Sequence, residues 1–425
     1  MSGFDQVIGY ESIKEELIRY CDVLKNPEKY GKLGVTAPRG VVLYGEPGLG
    51  KTTMARAFIE ECDREVFTIR KDKPNGKFVN KIREIFKKAR ESAPAIVFLD
   101  DMDKFANEDV EHKDAEEYVA VQAGIDKCKG HDVFVLATAN SKWDFPDSLL
   151  RVGRFDKSIE IKAPKGKDAS AIIKYYLSKK NVADDLDVDL ITWIMEGKSC
   201  AELETIVNEA GIFAGFEGHD KITQDDFIKA CLAMLFEEEQ RDSKYDDEED
   251  ADESHFSSKR VAIHEAGHAV VAEILNPGSV NIIALNVAGT STAGVTNCKK
   301  PKGYEFSSKM VERDVLIGLG GRAATELVLG QLDIGCRDDL DHAVNRVEEL
   351  VSGLYGSKFS WRRRESEYFM SERDKSIYKS MEKYYQDVKE ILAGNRHFLD
   401  RLVEELLRKS VLTYKDIATI RDSAN

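Results

Sequence analysis

The chain has 425 residues, too many for one ordinary hydrophobic core, so two or three domains are expected. Its formal net charge of -15 excludes a general nucleic-acid binder, which needs a basic surface. No apolar run approaches the roughly 18 residues of a membrane span, Met1-Ser2-Gly3-Phe4-Asp5-Gln6 has no signal-peptide pattern, and the seven cysteines form no C-x-x-C pair, so a reduced, cytoplasmic setting is expected.

Residues 1–165 alternate short apolar runs with helical stretches. Val41–Tyr44, Val66–Ile69, Ile96–Leu99, Val133–Ala137 and Ile159–Ile161 read as strands of a parallel sheet covered by helices. The first strand runs into Gly45-Glu46-Pro47-Gly48-Leu49-Gly50-Lys51-Thr52, with Thr53 following, a complete Walker A pattern between a strand and a helix. Its glycines let backbone N–H groups close on phosphate oxygens, Lys51 reaches the β and γ phosphates, and the Thr52 hydroxyl suits Mg²⁺. ATP with Mg²⁺ is therefore the expected ligand. Ile96–Leu99 ends in Asp100-Asp101, where Asp100 is expected to hold Mg²⁺ through water and Asp101 to orient or deprotonate the attacking water. Asn140 ends the run that starts at Val133, where a polar side chain can also touch that water, or simply make a turn.

Residues 166–236 read as helices only and predict a small lid. Composition then changes abruptly: Glu237 to Glu253 holds eleven acidic residues against Arg241 and Lys244. Such a block repels itself, so 237–257 is expected to be a linker. The remainder, 258–425, is mostly helical, with a strand-like insert from Asn281 to Thr296.

Its first helix carries His264-Glu265-Ala266-Gly267-His268, an H-E-x-x-H pattern. Histidines four apart lie on one helix face, where both imidazoles reach a single metal, and Glu265 between them can take a proton from water there. Ser257 and Ser258 are N-cap candidates, and Asn276-Pro277-Gly278 stops the helix. Zn²⁺ usually takes three protein ligands, so a third remains to be found.

Together these motifs resemble the FtsH family of AAA+ ATP-dependent zinc metalloproteases, over nearly the whole chain. The resemblance implies an α/β AAA+ P-loop module with a helical lid, plus a mostly α-helical zinc metallopeptidase domain. Val7-Ile8-Gly9 resembles the adenine-contacting segment, which makes Ile8 and Gly9 nucleotide contacts, and Asn140 matches the first sensor. Leu149-Leu150-Arg151-Val152-Gly153-Arg154-Phe155-Asp156 resembles the second region of homology, so Arg151 and Arg154 are candidate arginine fingers. Fingers act on a neighbour's γ-phosphate, so the resemblance implies a homo-hexamer that feeds unfolded or flexible polypeptides to the peptidase. Ser199-Cys200-Ala201-Glu202-Leu203 resembles the lid segment near the nucleotide, with Cys200 where glycine is usual. The resemblance points to Asp339, in Gly335-Cys336-Arg337-Asp338-Asp339-Leu340, as the third zinc ligand. Asp338 beside it suits a helix N-cap, and Glu326 is a rival ligand from a later helix. Ala293-Gly294-Val295-Thr296 resembles the strand on which substrate backbone is added.

Three departures stand out. The family's Walker B glutamate is Asp101 here, one methylene shorter. Pro74 falls at the position of the family's aromatic pore loop, with Phe78 close but out of register. The membrane anchor that precedes Phe4 in the family is absent, so a native anchor upstream of this segment and a natively soluble protein both remain open. The leading expectation is ATP-driven proteolysis. The alternatives are a zinc peptidase whose nucleotide-binding ring serves mainly as scaffold or gate, and a remodelling chaperone with an idle peptidase.

Overall fold

Short, wholly apolar runs in the first half and long helical periods in the second produce two differently built units. The computed structural model describes residues 3–424 apart from Thr36, 72–77, 106–114, 142–144, 146–147, Val152, 243–257, 286–292, 300–306, 332–335 and 352–366. One compact unit comprises Met1–Val188 and Met195–Ile222, and the other comprises Asp189–Ile194 and Thr223–Asn425.

The first unit contains α1 (Glu11–Lys25), α2 (Pro27–Gly31), β1 (Gly40–Tyr44), α3 (Lys51–Cys62), β2 (Glu65–Ile69), α4 (Phe78–Glu91), β3 (Ala95–Leu99), α5 (Ala115–Lys127), β4 (Val133–Ala139), β5 (Lys157–Glu160) and α6 (Lys167–Leu177). Helix α7 (Val188–Ile194) falls almost wholly in the second unit, and α8 (Cys200–Glu217) in the first. The five strands form a parallel sheet in the order β2-β3-β4-β1-β5. All five residues of β3 and all seven of β4 are buried, as central parallel strands covered on both faces require. Helix α4 buries Phe78, Ile82, Phe86 and Ala89, the i, i+4 stripe of an amphipathic helix. Helix α8 opens on a capping box: the Ser199 hydroxyl accepts from the Glu202 amide and the Glu202 carboxylate accepts from the Ser199 amide.

The strands arise where the apolar runs predict them. Strand β4 continues two residues further, through Ala139. Strand β5 begins at Lys157, earlier than expected, because Val41–Tyr44 pair with Lys157–Glu160. Phe78 is a buried core residue packed edge-on against Phe105, with ring centroids 5.3 Å apart, so it is not the gripping aromatic of a pore loop. Pro74 lies outside the described residues.

The second unit continues with α9 (Gln224–Asp242), α10 (Ser258–Leu275), β6 (Val280–Leu285), β7 (Gly294–Cys298), α11 (Ser308–Gly318), α12 (Gly320–Leu329), α13 (Arg337–Val351), α14 (Glu367–Gly394), α15 (Arg396–Lys409), β8 (Val411–Thr413) and α16 (Tyr414–Ala424). Helix α9 runs through Asp242, so residues 237–242 of the expected linker are helical, while 243–257 lie outside the described residues. The insert expected between Asn281 and Thr296 is two strands: β6 pairs antiparallel with β7 on one side and with β8 on the other. Helix α10 is the centre of this unit's core, with every residue from Val261 to Glu273 buried except His264. A helix buried on nearly all sides shows no clean apolar stripe, and its few polar residues inside this span, His264, Glu265, His268 and Glu273, need partners there. It crosses α12 closely: a Cβ at Gly267 would stand 2.4 Å from the Gly320 carbonyl oxygen, and one at Gly320 would stand 2.8 Å from the Gly267 oxygen. No described helix is long and apolar enough to cross a membrane.

Candidate active sites

Strands β1, β3 and β4 lie side by side and are followed directly by Gly45, Asp100 and Asn140, so the parallel topology gathers three predicted residues at one end of the sheet. Ligands of open α/β sheets bind beyond the carboxyl ends of strands, where this cluster lies. Gly50 caps α3 in the left-handed conformation with φ 80°, and Lys51 is the first residue of that helix. The Lys51 ammonium donates to the carbonyls of Gly45 and Glu46, both at 2.7 Å, and to Asn140 Oδ1 at 3.0 Å. Burial depresses its pKa, against the carboxylates of Asp103 and Asp101, which favour its charge.

Buried Asp100 accepts from Thr52 Oγ1 at 3.0 Å, Thr138 Oγ1 at 2.8 Å and Arg70 at 3.2 Å. Thr52 and Asp100 thus bring two hard oxygen donors together beside the phosphate loop, a donor set that fits Mg²⁺. Gly48 has φ 77° and its carbonyl accepts from the Ala201 amide at 3.1 Å, tying the loop to the start of α8. Pro47 and Leu49 lie between these points, Leu49 buried, while Thr53 is exposed on α3. Ile8 and Gly9 precede Tyr10, whose amide donates to Asp168 Oδ1 at 3.0 Å and whose hydroxyl lies 3.4 Å from Cys200 Sγ. The residue that replaces the usual glycine therefore fills space beside Tyr10.

The remaining predicted residues separate. Asp101 has φ 54°, and its carboxylate is held by Lys104 at 2.8 Å. Arg154 is committed within its own unit, to Asp126 through Nε at 2.9 Å and through a terminal nitrogen at 2.8 Å, and to the Ser148 carbonyl. Arg151 is exposed.

In the second unit His264, His268 and Asp339 converge. His264 Nε2 lies 3.1 Å from Asp339 Oδ2 and 3.0 Å from His268 Nε2, and His268 Nε2 lies 3.4 Å from Asp339 Oδ2. A tetrahedral ion with bonds of about 2.0–2.1 Å holds its ligands about 3.3 Å apart, so this triangle and its two-nitrogen, one-oxygen donor set fit Zn²⁺. His268 Nδ1 donates to the Ile317 carbonyl at 2.7 Å, which leaves Nε2 for the metal. Burial opposes charge on His268, but the Asp339 carboxylate outweighs it and raises its pKa to about 9. Burial likewise opposes charge on Asp339, yet the two imidazoles hold its carboxyl well below the ordinary value.

Glu326 stands apart from this cluster. It accepts from Tyr385 Oη at 2.6 Å and Lys389 Nζ at 2.7 Å on α14, so the rival position is occupied by a structural network. Asp338 sits exposed in the first turn of α13, one residue from Asp339.

Sequence reasoning missed the groups that hold these ligands in place. Thr296 Oγ1 donates toward Glu265 Oε2 at 2.7 Å and toward the Glu265 carbonyl at 3.0 Å. Gly321 lies against the His264 ring, where a Cβ would stand 2.5 Å from Nε2. The Gly320-Gly321 pair was the one visible signal, since adjacent glycines inside a helix point to a close approach.

A phosphate-loop ATPase fold and an H-E-x-x-H metallopeptidase fold in one chain define the class of energy-dependent metalloproteases. Family models agree: ATPase family associated with various cellular activities (AAA) matches residues 41–163, and Peptidase family M41 matches residues 253–357. The chain is 30% identical to ATP-dependent zinc metalloprotease FtsH 2 of Petrotoga mobilis, over 97% of this chain and 69% of that protein. It is 31% identical to ATP-dependent zinc metalloprotease FtsH of Methylococcus capsulatus, over 99% of this chain and 70% of that protein. The FtsH of Thermotoga maritima is 29% identical, over 98% of this chain and 72% of that protein. The chain belongs to the FtsH family of ATP-dependent zinc metalloproteases, with Zn²⁺, ATP and Mg²⁺ as cofactors, and the expected fold class is borne out.

Proposed function

We propose that this chain is the protomer of a homo-hexameric enzyme that spends ATP to deliver unfolded or flexible polypeptides to its own zinc peptidase site. The observation that carries this reading is the convergence of His264, His268 and Asp339 beside Glu265 on an enclosed helix. These three side chains would hold Zn²⁺, which when bound supplies a Lewis acid for the scissile carbonyl and for water. Glu265 is the general base: Thr296 occupies Oε2, and Oε1 is left to accept the water's proton and pass it to the leaving amine. Among the described residues strand β7 is an edge strand, paired only with β6, so an extended substrate can add its backbone alongside. That mode reads backbone more than side chains, which suits a protease of unfolded chains.

At the nucleotide site, the loop Gly45–Thr52 cradles phosphates, Lys51 binds the β and γ phosphates, and Thr52 with Asp100 would hold Mg²⁺. Exposed Arg151 is the better of the two candidates for a neighbour's γ-phosphate, because Arg154 is already paired. Residues 166–236 serve as the lid and 237–257 as the linker to the peptidase, with 243–257 of that span outside the described residues.

The test measures ATP turnover and degradation of an unfolded protein in the wild type, in Lys51→Ala and in Glu265→Gln. Coupled proteolysis requires that Lys51→Ala lose both activities while Glu265→Gln loses only degradation and retains its zinc. Degradation of unfolded protein at full rate by Lys51→Ala would assign the ring a scaffold role instead.

A further inference from the structure

We propose that Asp103, and not Asp101, holds and orients the water that attacks ATP. This rests on the ATPase reading above and assigns a further residue to that site. Asp101 occupies the expected position, but its backbone is in the left-handed region at φ 54°, and its carboxylate is engaged by Lys104 at 2.8 Å with Arg70 at 3.8 Å. Its amide donates to Thr138 Oγ1 at 3.0 Å, which fixes that backbone on β4.

Two residues later, in the 3-10 turn Met102–Lys104, Asp103 turns back to the phosphate site. Its Oδ2 accepts from Asn140 Nδ2 at 2.9 Å, and Asn140 Oδ1 accepts from the Lys51 ammonium at 3.0 Å. One amide therefore links the acid directly to the phosphate-binding lysine. The other oxygen, Oδ1, is buried and accepts no hydrogen bond from the described residues. A buried carboxylate oxygen without a donor is costly, and a water molecule is the donor such a position suits. Asp103 also favours the charge on Lys51 more strongly than Asp101 does, consistent with a closer approach.

The chemistry balances without a further reactant. Oδ1 accepts a hydrogen bond from water, directing the water's lone pair at the γ-phosphorus. As that P–O bond forms, the bond from the γ-phosphorus to the β–γ bridging oxygen breaks and its electron pair leaves with ADP. The water's proton ends on the inorganic phosphate or in solvent.

The experiment compares Asp103→Asn with Asp101→Asn in the full chain. Asp103→Asn preserves shape and keeps an oxygen for Asn140. Three readings are taken: ATP turnover, affinity for a fluorescent ATP analogue with Mg²⁺, and melting temperature. The expected result is a loss of about 100-fold in kcat for Asp103→Asn, with affinity and melting temperature retained. Asp101→Asn should lose less than about tenfold. Two results overturn the proposal: a larger loss in Asp101→Asn than in Asp103→Asn, or a loss in Asp103→Asn accompanied by weakened nucleotide binding or a lower melting temperature. Absence of turnover in the wild type would instead defeat the ATPase reading on which the proposal rests.

Discussion

Thr296 on β7 reaches across to Glu265 on α10, its hydroxyl 2.7 Å from one carboxylate oxygen and 3.0 Å from the same residue's backbone carbonyl. One hydroxyl so placed orients the base and leaves its second oxygen toward substrate. A hydrogen bond to a charged group is worth about 1.5–3 kcal/mol, so Thr296→Val should lower peptidase kcat roughly tenfold or more. Thr296→Ser should retain most activity. Zinc content should be unchanged in both, since the Thr296 hydroxyl donates to Glu265, which is the base and not a ligand. Equal loss in the serine variant would show that packing, not the hydroxyl, matters.

Gly321 stands against the His264 imidazole. An added methyl would lie 2.5 Å from Nε2 and 2.6 Å from Nδ1, inside any real contact distance, so the ring or α12 must move. Misplacing a ligand's support typically costs 10–100-fold in metal affinity, and Gly321→Ala should weaken zinc by about that much. Competition with a chelator measures it. Unaltered affinity would mean that α12 yields more easily than its packing suggests.

Much of both sites is legible in the sequence. The phosphate loop, Asp100, Asn140 and the H-E-x-x-H pair all sit at positions where one local pattern dictates both conformation and chemistry. The third ligand was not legible from the residues alone. Asp339 reaches the site through the packing of α13 against α11 and α14, which no local period encodes, and the family resemblance had to supply it. Thr296 was visible only as part of a strand, because its partner is 31 residues away in sequence. The ion pair of Arg154 was hidden for the same reason, since Asp126 is 28 residues away in sequence. That of Asp101 with Lys104 spans three residues and depends on the 3-10 turn that begins at Met102. The two strands β6 and β7 read as one insert although Asn286 and Gly289-Thr290-Ser291-Thr292 between them carry a break in the apolar pattern.

The metal-free protein should show an alkaline loss of stability that zinc removes. His268 has a pKa raised from 6.5 to about 9, so its pairing contributes stability that is fully present below pH 6.5 and is lost as pH rises through about 9. Asp339 has a lowered pKa, so its contribution is present above pH 3.8 and is lost as pH falls toward its folded value. Both contributions are therefore complete between pH 3.8 and 6.5. With zinc bound, His268 is held as a neutral ligand and the alkaline limb should disappear. Melting temperatures from pH 6 to about 10, with chelator and with zinc, read this directly. Parallel curves in the two series would remove the His268–Asp339 pair from the account.

A second buried charge is structural. Glu273, on α10, is 1% exposed and accepts from the amides of Gly278 at 2.8 Å and Val280 at 2.9 Å, and from Arg421 at 2.6 Å. It ties the end of α10 to the start of β6 and to α16. Removing one partner of a buried pair costs about 3–5 kcal/mol, and because two amides remain, Arg421→Ala should fall near the lower figure. Glu273→Leu combined with Arg421→Met should recover part of the loss, since no charge is then stranded. Denaturant unfolding measures both, and an additive double variant would show that the two residues act independently.

The last prediction separates the two acids that competed for the metal. Asp339 Oδ2 lies within 3.1–3.4 Å of both imidazole nitrogens, whereas Glu326 is engaged by Tyr385 and Lys389. Asp339→Asn replaces an anionic oxygen with a neutral one and should strip zinc and proteolysis together. ATP turnover should persist, because the nucleotide site is built from other residues. Glu326→Gln should keep zinc at one per chain and retain proteolysis. Its cost should appear in stability: the Lys389 ammonium and Tyr385 hydroxyl hold the Glu326 carboxyl below its usual pKa, so its contribution is present above the ordinary carboxyl range and is lost as pH falls. The pair with Lys389 is about a third exposed, so the loss should be modest, roughly 1 kcal/mol or less at neutral pH. Elemental analysis of zinc in the two variants decides the assignment. Zinc lost from Glu326→Gln and kept by Asp339→Asn would reverse it.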